Sequence, residues 1–154
     1  MNQNNNTFKL ILKAKVIRSY DTISSRDKLK HKCYDIQLSI INKSYKPIYY
    51  WMMTCSWEEN FLINNDYMEF QGHDCDSNFP KIFRLNQNDS VVGKTSILRY
   101  DYTRGQLIDN TRLGFIYIDS IKCKNHFDYR GIIDDKSQWD KIIWSNPLYL
   151  NERE

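Results

Sequence analysis

The feature that most constrains the fold is the regular alternation of apolar and polar residues in the first forty positions. Residues 8–16 place apolar side chains at every second position and lysines on much of the opposite face, and residues 34–40 repeat the alternation. Successive side chains of a strand point to opposite faces, so both segments are predicted to be strands with one buried face. The apolar positions are Phe8, Leu10, Leu12, Ala14, Val16, Tyr34, Ile36, Leu38 and Ile40.

A third segment, residues 48–57, is apolar or aromatic on both faces. A buried helix would also fit such a run, but the enrichment in aromatic and β-branched residues favours a strand buried on both sides. Shorter runs separated by polar, turn-rich stretches bring the count to about seven to nine strands, which predicts an all-β fold, a β-sandwich. These runs are 67–70, 81–85, 95–100, 113–118 and 142–150.

One short helix is predicted near the carboxyl end. Trp139, Ile142 and Ile143 have helical spacing, Asp134 could cap a helix over residues 134–143, and Pro147 would follow its end. The chain of 154 residues suits one domain, for which we expect a flexible segment at 1–7, a single β-sandwich domain at 8–150 and a tail at 151–154.

The targeting signals of the chain are weak. No uninterrupted apolar run approaches the ~18–20 residues that a membrane helix needs. Lys9, Lys13 and Lys15 interrupt the first apolar stretch, so it does not resemble a secretory signal, and a cytoplasmic location is expected. The alternative is an exported protein whose signal has been removed.

The order of strands and turns resembles a known family. The strand 34–40 runs into the turn Asn42-Lys43-Ser44-Tyr45-Lys46-Pro47 and an aromatic strand, and the turn at 85–90 precedes another strand. Over residues 34–118 this layout resembles bacterial immunoglobulin-like β-sandwich domains, including the intracellular proteinase-inhibitor type. The resemblance implies the fold, and a small inhibitor or regulator of a partner enzyme as one function, but no inhibitory residue can be transferred.

Potential metal ligands are concentrated at His73, Asp74, Cys75 and Asp76. On an extended chain only alternate residues share a side, so a site could use His73 with Cys75, or Asp74 with Asp76. The calcium-loop pattern fails because position 12 after Asp74 lacks its glutamate. A polar loop bonded to its own backbone is therefore the favoured interpretation, with no metal and no cofactor expected, and a metal-dependent enzyme is a remaining alternative.

The four cysteines, Cys33, Cys55, Cys75 and Cys123, include no C-x-x-C pair. Two disulfides in any of three connectivities would be possible outside the cell. Buried free thiols are favoured, because a chain of this length can build a core without covalent cross-links.

The charge of the chain is unevenly distributed. Residues 1–50 carry ten Lys or Arg and three Asp, whereas the rest of the chain has more acidic than basic residues. The excess of positive charge in residues 1–50 could bind an anionic surface. The favoured interpretation is that these lysines keep an edge strand soluble. No nucleic-acid-binding module is recognisable, and Gly93-Lys94-Thr95 lacks the earlier glycine of a phosphate-binding loop.

No catalytic signature surrounds the cysteines or the three histidines, so enzymatic activity is not expected. The chain contains 11 Tyr, 7 Phe and 4 Trp, most of which should lie in the core. Those left outside would favour a contact surface, for which the candidates are Tyr45, Tyr49, Tyr50 and Trp57. The sequence therefore predicts a non-catalytic binding module for a protein or glycan partner. It specifies neither which partner is bound nor the oligomeric state.

Overall fold

The computed structural model describes residues 8–100 and 110–150, and within them the fold is all-β, as predicted. The predicted end segments 1–7 and 151–154 lie outside the described residues. The described chain forms nine strands, one α-helix and three short 3-10 helices. The strands are β1 (Leu10–Ile23), β2 (Lys30–Asn42), β3 (Ile48–Met53), β4 (Phe61–Ile63), β5 (Met68–Gln71), β6 (Pro80–Leu85), β7 (Ser90–Arg99), β8 (Leu113–Tyr117) and β9 (Lys141–Trp144). The helices are α1 (His126–Ile133) and the 3-10 turns Trp57–Asn60, Ser120–Lys122 and Lys136–Gln138.

One antiparallel sheet has the order β1-β2-β7-β5. Its long β1-β2 hairpin pairs Ala14 with Leu38, so the apolar positions of the two alternating segments face the same side. The strands extend further than the alternation indicated, because a register shift between Val16 and Arg18 lets β1 continue to Ile23. The densest basic stretch of the sequence, residues 26–32, is therefore partly strand, since β2 begins at Lys30.

The other strands form a two-stranded sheet, β3-β6, and a three-stranded sheet, β4-β8-β9. Trp51 donates its backbone N–H to the carbonyl of Ile118, and an antiparallel bridge joins Tyr50 to Asp119. Strand β3 therefore also pairs with the residues just after β8. The main core draws side chains from all three sheets, an arrangement compatible with a β-sandwich. Its members include Leu12, Ile36, Leu38, Tyr50, Ile97, Leu113 and Phe115.

Strand β3 is buried on both faces from Tyr50 to Met53, as its sequence predicted, whereas Tyr49 is exposed and the strand ends at Met53 rather than at residue 57. Tyr50 and Met52 lie in the main core, whereas Trp51 and Met53 pack in a second cluster with Tyr129 of α1. The helix therefore covers the face of β3 that the first sheet leaves open.

The prediction of a helix over residues 134–143 is wrong. The helix lies one segment earlier, where the side chain of Asn125 caps its first turn, and Asp134 is the residue that ends it. Residues 141–144 pair with β8 instead, so tertiary pairing outweighs the helical spacing of Ile142 and Ile143. The run predicted to extend to residue 150 forms a strand only as far as Trp144.

Across the described residues, none of the helices combines the length and the apolar character required to cross a lipid bilayer.

Candidate functional site

The four residues predicted to form a contact surface occupy different environments. Tyr45 is 69% exposed and Tyr49 43% exposed, on the turn before β3 and on β3 itself. Tyr50 is buried in the core beside Phe115, so its side chain is not available to a partner. Trp57 is partly buried. Its ring rests over the backbone of Gly93, where an added Cβ would lie 3.0 Å from the indole.

A more coherent surface lies on the outer face of the β1-β2-β7 sheet, where three exposed lysines are grouped. The register places Lys15 opposite Gln37, and Gln37 opposite Lys94, so these residues form one row across three strands. Lys13 and Ser39 form the neighbouring row. None of the three lysines has an ion-pair partner among residues 8–100 and 110–150.

This lysine-bearing face borders an open groove of about 640 Å³ between β1 and the segment that follows β9. Among the residues that the structure describes, no acidic side chain lines the groove. The lining includes Lys13, Lys15, Gln37, Ser39, Arg112, Trp144 and Asn146. We refer to this set of seven side chains as the cationic groove. Its chemistry suits a ligand that carries negative charge.

An aromatic ring is displayed at the edge of the cationic groove. Trp144 is 43% exposed although it lies in a paired strand. Its partner in the sheet is Gly114, and a Cβ built there would approach the Trp144 ring to 3.0 Å. The absence of a side chain at Gly114 therefore lets the indole lie against β8 with its other side towards solvent.

Hydrogen bonds hold the polar residues of the groove in place. Arg112 donates from its guanidinium to the carbonyl of Ser145 at 2.9 Å, and its backbone N–H reaches the Asn64 side chain at 2.6 Å. Asn146 bonds both the N–H and the C=O of Ala14, at 3.0 and 2.9 Å, as a neighbouring strand would. Its amide thus covers the edge of β1 at this point.

The sequence contained one signal of this groove, the excess of positive charge in the first fifty residues. The presence of Arg112 and Trp144 in the groove could not be predicted from the sequence. They are brought next to β1 by the pairing of β8 with β9 and by the contacts of residue 146 with β1. Trp144 carries no periodic pattern that distinguishes it from a core residue.

The second site concerns the cysteines, and here the expectation of four free thiols is only partly right. Cys33 and Cys123 are free and buried. Cys55 and Cys75 form a disulfide, with their Cα atoms 6.0 Å apart. The expectation failed for this pair because the folded chain brings two loops, 20 residues apart in sequence, to one place.

Several polar contacts bring these two loops together independently of the disulfide. Asn78 accepts hydrogen bonds from the backbone N–H groups of Cys55 and Ser56, at 3.1 and 3.0 Å. Thr54 donates its N–H to the carbonyl of Phe79, and its hydroxyl accepts from the N–H of Phe79. The segment after β3 and the loop before β6 are therefore joined by four backbone-directed hydrogen bonds.

His73 places its imidazole between the disulfide and a buried carboxylate. Its Nε2 lies 3.4 Å from Sγ of Cys55, and its Nδ1 lies 3.2 Å from Oε1 of Glu58. Glu58 is only 9% exposed, and the same oxygen accepts a 3.1 Å hydrogen bond from the hydroxyl of Thr95. A sulfur, an imidazole and a carboxylate are thus aligned at hydrogen-bonding distances, the order found where histidine activates a thiol.

This cluster contains two of the four predicted metal ligands. His73 and Cys75 lie with Cys55 in a group whose ligand atoms fall within 4.8 Å of one another. Asp74 and Asp76 are exposed and do not belong to that group. Cys55 and Cys75 are bonded to each other, so thiolate ligation of a metal would require prior reduction.

The free cysteines have a different character. Burial raises the pKa of the Cys123 thiol, and the nearby carboxylate of Asp128 adds to the shift. Cys33 is 2% exposed and lies 3.4 Å from the hydroxyl of Tyr20. A buried thiol is a poor nucleophile, so the accessible sulfur chemistry of the described chain is concentrated at Cys55 and Cys75.

Comparisons of the chain with protein-family models, curated proteins and solved structures found no match.

Proposed function

We propose that the protein is a non-catalytic binding module that takes an acidic oligosaccharide in the cationic groove. The observation that carries the proposal is the group of lysines without ion-pair partners among the described residues, beside the exposed ring of Trp144. The immunoglobulin-like arrangement of the strands is part of the same proposal, with the sheet serving as a rigid support for the groove. If the protein were instead a small regulator or inhibitor of a partner enzyme, it would bind that enzyme through the same surface.

The chemistry of the groove favours a charged sugar over the other anionic partners. Lys13, Lys15 and Arg112 supply cations for carboxylate or sulfate groups. Gln37 and Ser39 supply hydrogen-bonding groups between the cations. The accessible side of Trp144 offers an apolar platform against which the C–H face of a sugar ring can pack.

The test uses the full chain and three probes of similar negative charge: a sulfated oligosaccharide, an acidic peptide and a single-stranded oligonucleotide. An unsulfated oligosaccharide of the same length is the neutral reference. We expect calorimetry to detect binding of the sulfated sugar only, with an affinity that falls as salt rises because the lysine contacts are screened. Preference for the peptide or the oligonucleotide, or equal binding of the neutral sugar, would contradict the proposal.

The first prediction concerns a double variant, Lys13→Gln with Lys15→Gln. We expect it to weaken binding of the sulfated sugar by at least about tenfold, since each lost charge contact is worth about 1 kcal/mol. The matched control is Lys30→Gln with Lys32→Gln, which removes the same charge from lysines that already pair with Asp21. An equal loss of affinity in both variants would show that net charge, rather than the groove, attracts the ligand.

A further inference from the structure

We propose that the Cys55–Cys75 disulfide is redox-active and exchanges with external dithiols, with Cys55 as the leaving sulfur and His73 as its proton donor. This activity is separate from ligand binding in the cationic groove. Its chemical partner is a dithiol, either a small molecule or the reduced cysteine pair of another protein.

The asymmetry of the site identifies the sulfur that leaves. Nε2 of His73 lies 3.4 Å from Sγ of Cys55. The sulfur of Cys75 instead lies 3.7 Å from the carbonyl oxygen of His73, which cannot stabilise negative charge. Cys55 also has a carbonyl oxygen nearby, that of Asp74 at 4.0 Å, but among the described residues it alone of the two sulfurs has a ring nitrogen within hydrogen-bonding distance.

The buried carboxylate holds the imidazole in the orientation that this step needs. Glu58 accepts from Nδ1 of His73, which leaves Nε2 directed at the sulfur. Because Glu58 is itself held by the hydroxyl of Thr95, it fixes the orientation of the ring. Glu58 touches no reacting sulfur and is a positioning residue.

The exchange is a two-electron transfer from the dithiol to the protein disulfide. A thiolate of the dithiol attacks Sγ of Cys75, the S–S bond breaks, and the electron pair leaves on Sγ of Cys55, which takes the Nε2 proton of His73. The second thiol of the dithiol then attacks the mixed disulfide and releases Cys75, which is protonated from water. The protein disulfide gains two electrons and two protons, and the dithiol loses the same number and becomes a disulfide.

The surroundings of the site allow both redox states. The disulfide is partly exposed, and the side chain of His73 is 46% exposed, so an external thiol can reach the sulfurs. The hydrogen bonds of Asn78 and Thr54 join the same two loops without using either sulfur. Reduction therefore removes the covalent link but keeps the loops, and with them His73, close to Cys55.

A pair of single-cysteine variants tests the assignment. Cys75→Ser leaves Cys55 beside His73, and Cys55→Ser leaves Cys75, so both variants lose the same cross-link. At neutral pH, with a chelator present, we expect iodoacetamide to alkylate Cys55 at least about tenfold faster than Cys75, because the imidazole of His73 can take the proton of the Cys55 thiol in the reverse of the transfer above. Adding His73→Gln to the Cys75→Ser variant should remove the difference.

Peptide mapping by mass spectrometry supplies the rates and an internal control for folding. Cys33 and Cys123 are buried and should stay unmodified as long as the chain is folded. Equal rates for Cys55 and Cys75 in folded variants, or a Cys55 rate that His73→Gln leaves unchanged, would overturn the proposal.

If the single-cysteine variants unfold, the disulfide-bonded chain provides a second test. His73→Gln should slow reduction of the disulfide by dithiothreitol about tenfold, whereas Asp74→Asn, a charge change in the same loop, should leave the rate unchanged. With glutathione, the trapped adduct should lie on Cys75. An adduct found on Cys55, or unchanged reduction in His73→Gln, would refute the mechanism.

The role of Glu58 is tested by Glu58→Gln, which keeps an oxygen for Thr95 and His73 but removes the charge. In the Cys75→Ser background we expect alkylation of Cys55 to slow at least about threefold. The control is Glu59→Gln, since Glu59 is the exposed neighbour that pairs with Arg130 instead. A Glu58→Gln variant that alters thermal stability but not the alkylation rate would assign Glu58 a structural role only.

Discussion

Two glycines differ in what surrounds them, and this difference gives a prediction at the scale of single residues. A Cβ at Gly114 would lie 2.8 Å from Ile142 and 3.0 Å from the Trp144 ring, whereas nothing lies within 4 Å of a Cβ at Gly131. Gly114→Ala should therefore cost about 1–3 kcal/mol of unfolding free energy through overpacking. Gly131→Ala, inside α1, should gain about 0.5–1 kcal/mol through helix propensity.

Urea unfolding of the two alanine variants checks this contrast, because the chemical change is identical. Gly114→Ala should also perturb the fluorescence of Trp144, since the ring must move away from β8. A neutral effect of Gly114→Ala would mean that the contact between β8 and the indole is looser than the structure shows.

At the same scale, the sequence predicted some side-chain environments and not others. Alternation identified Leu12, Ile36 and Leu38 as core residues, and all three are buried. The hydrogen bond of Glu58 to Thr95 joins residues 37 positions apart, and no local pattern announces it. A buried glutamate in a polar stretch looks like any surface glutamate until the fold is known.

At the scale of elements, the first turn of α1 is capped by the side chain of Asn125. Asn125 accepts from the backbone N–H groups of Phe127 and Asp128, at 3.0 and 3.1 Å. Asn125→Ala should cost about 1 kcal/mol of unfolding free energy, and Asn125→Ser should restore most of it. Chemical denaturation of both variants provides the measurement, and equal stabilities would mean that packing on β3 alone specifies the start of the helix.

The failure to place this helix from sequence has a physical cause. The eight-residue helix is too short to show a strong periodicity, and Phe127 is exposed while Tyr129, Ile132 and Ile133 are buried. The strands were easier to predict, since one buried face per strand imposes a period of two over many residues. The full length of the β1-β2 hairpin was not predicted, because its outer half carries mostly polar and charged side chains.

At the scale of the whole molecule, buried tyrosines couple folding to alkaline pH. Burial raises the pKa of Tyr50 to about 12, and burial also raises the pKa values of Tyr117 and Tyr129. An unfolded tyrosine ionises near pH ~10. The unfolded chain thus loses these protons first, so the stabilisation that depends on neutral Tyr50 is complete below pH ~10 and is lost as pH rises towards 12.

The variant Tyr50→Phe isolates one of these contributions. A shift from ~10 to about 12 corresponds to about 3 kcal/mol. The unfolding free energy of the native chain should therefore fall by up to that amount more than the variant's as the pH rises from below ~10 to above 12. Urea unfolding at several alkaline pH values gives the slopes. Tyr49→Phe, on the same strand, removes a hydroxyl from a side chain that stays 43% exposed and should retain the native slope. If Tyr50→Phe also retained the native pH dependence, ionisation of Tyr50 would not be the cause of the loss of stability at high pH. The packing of Tyr50 between Phe83 and Phe115 would then have to open before the chain unfolds.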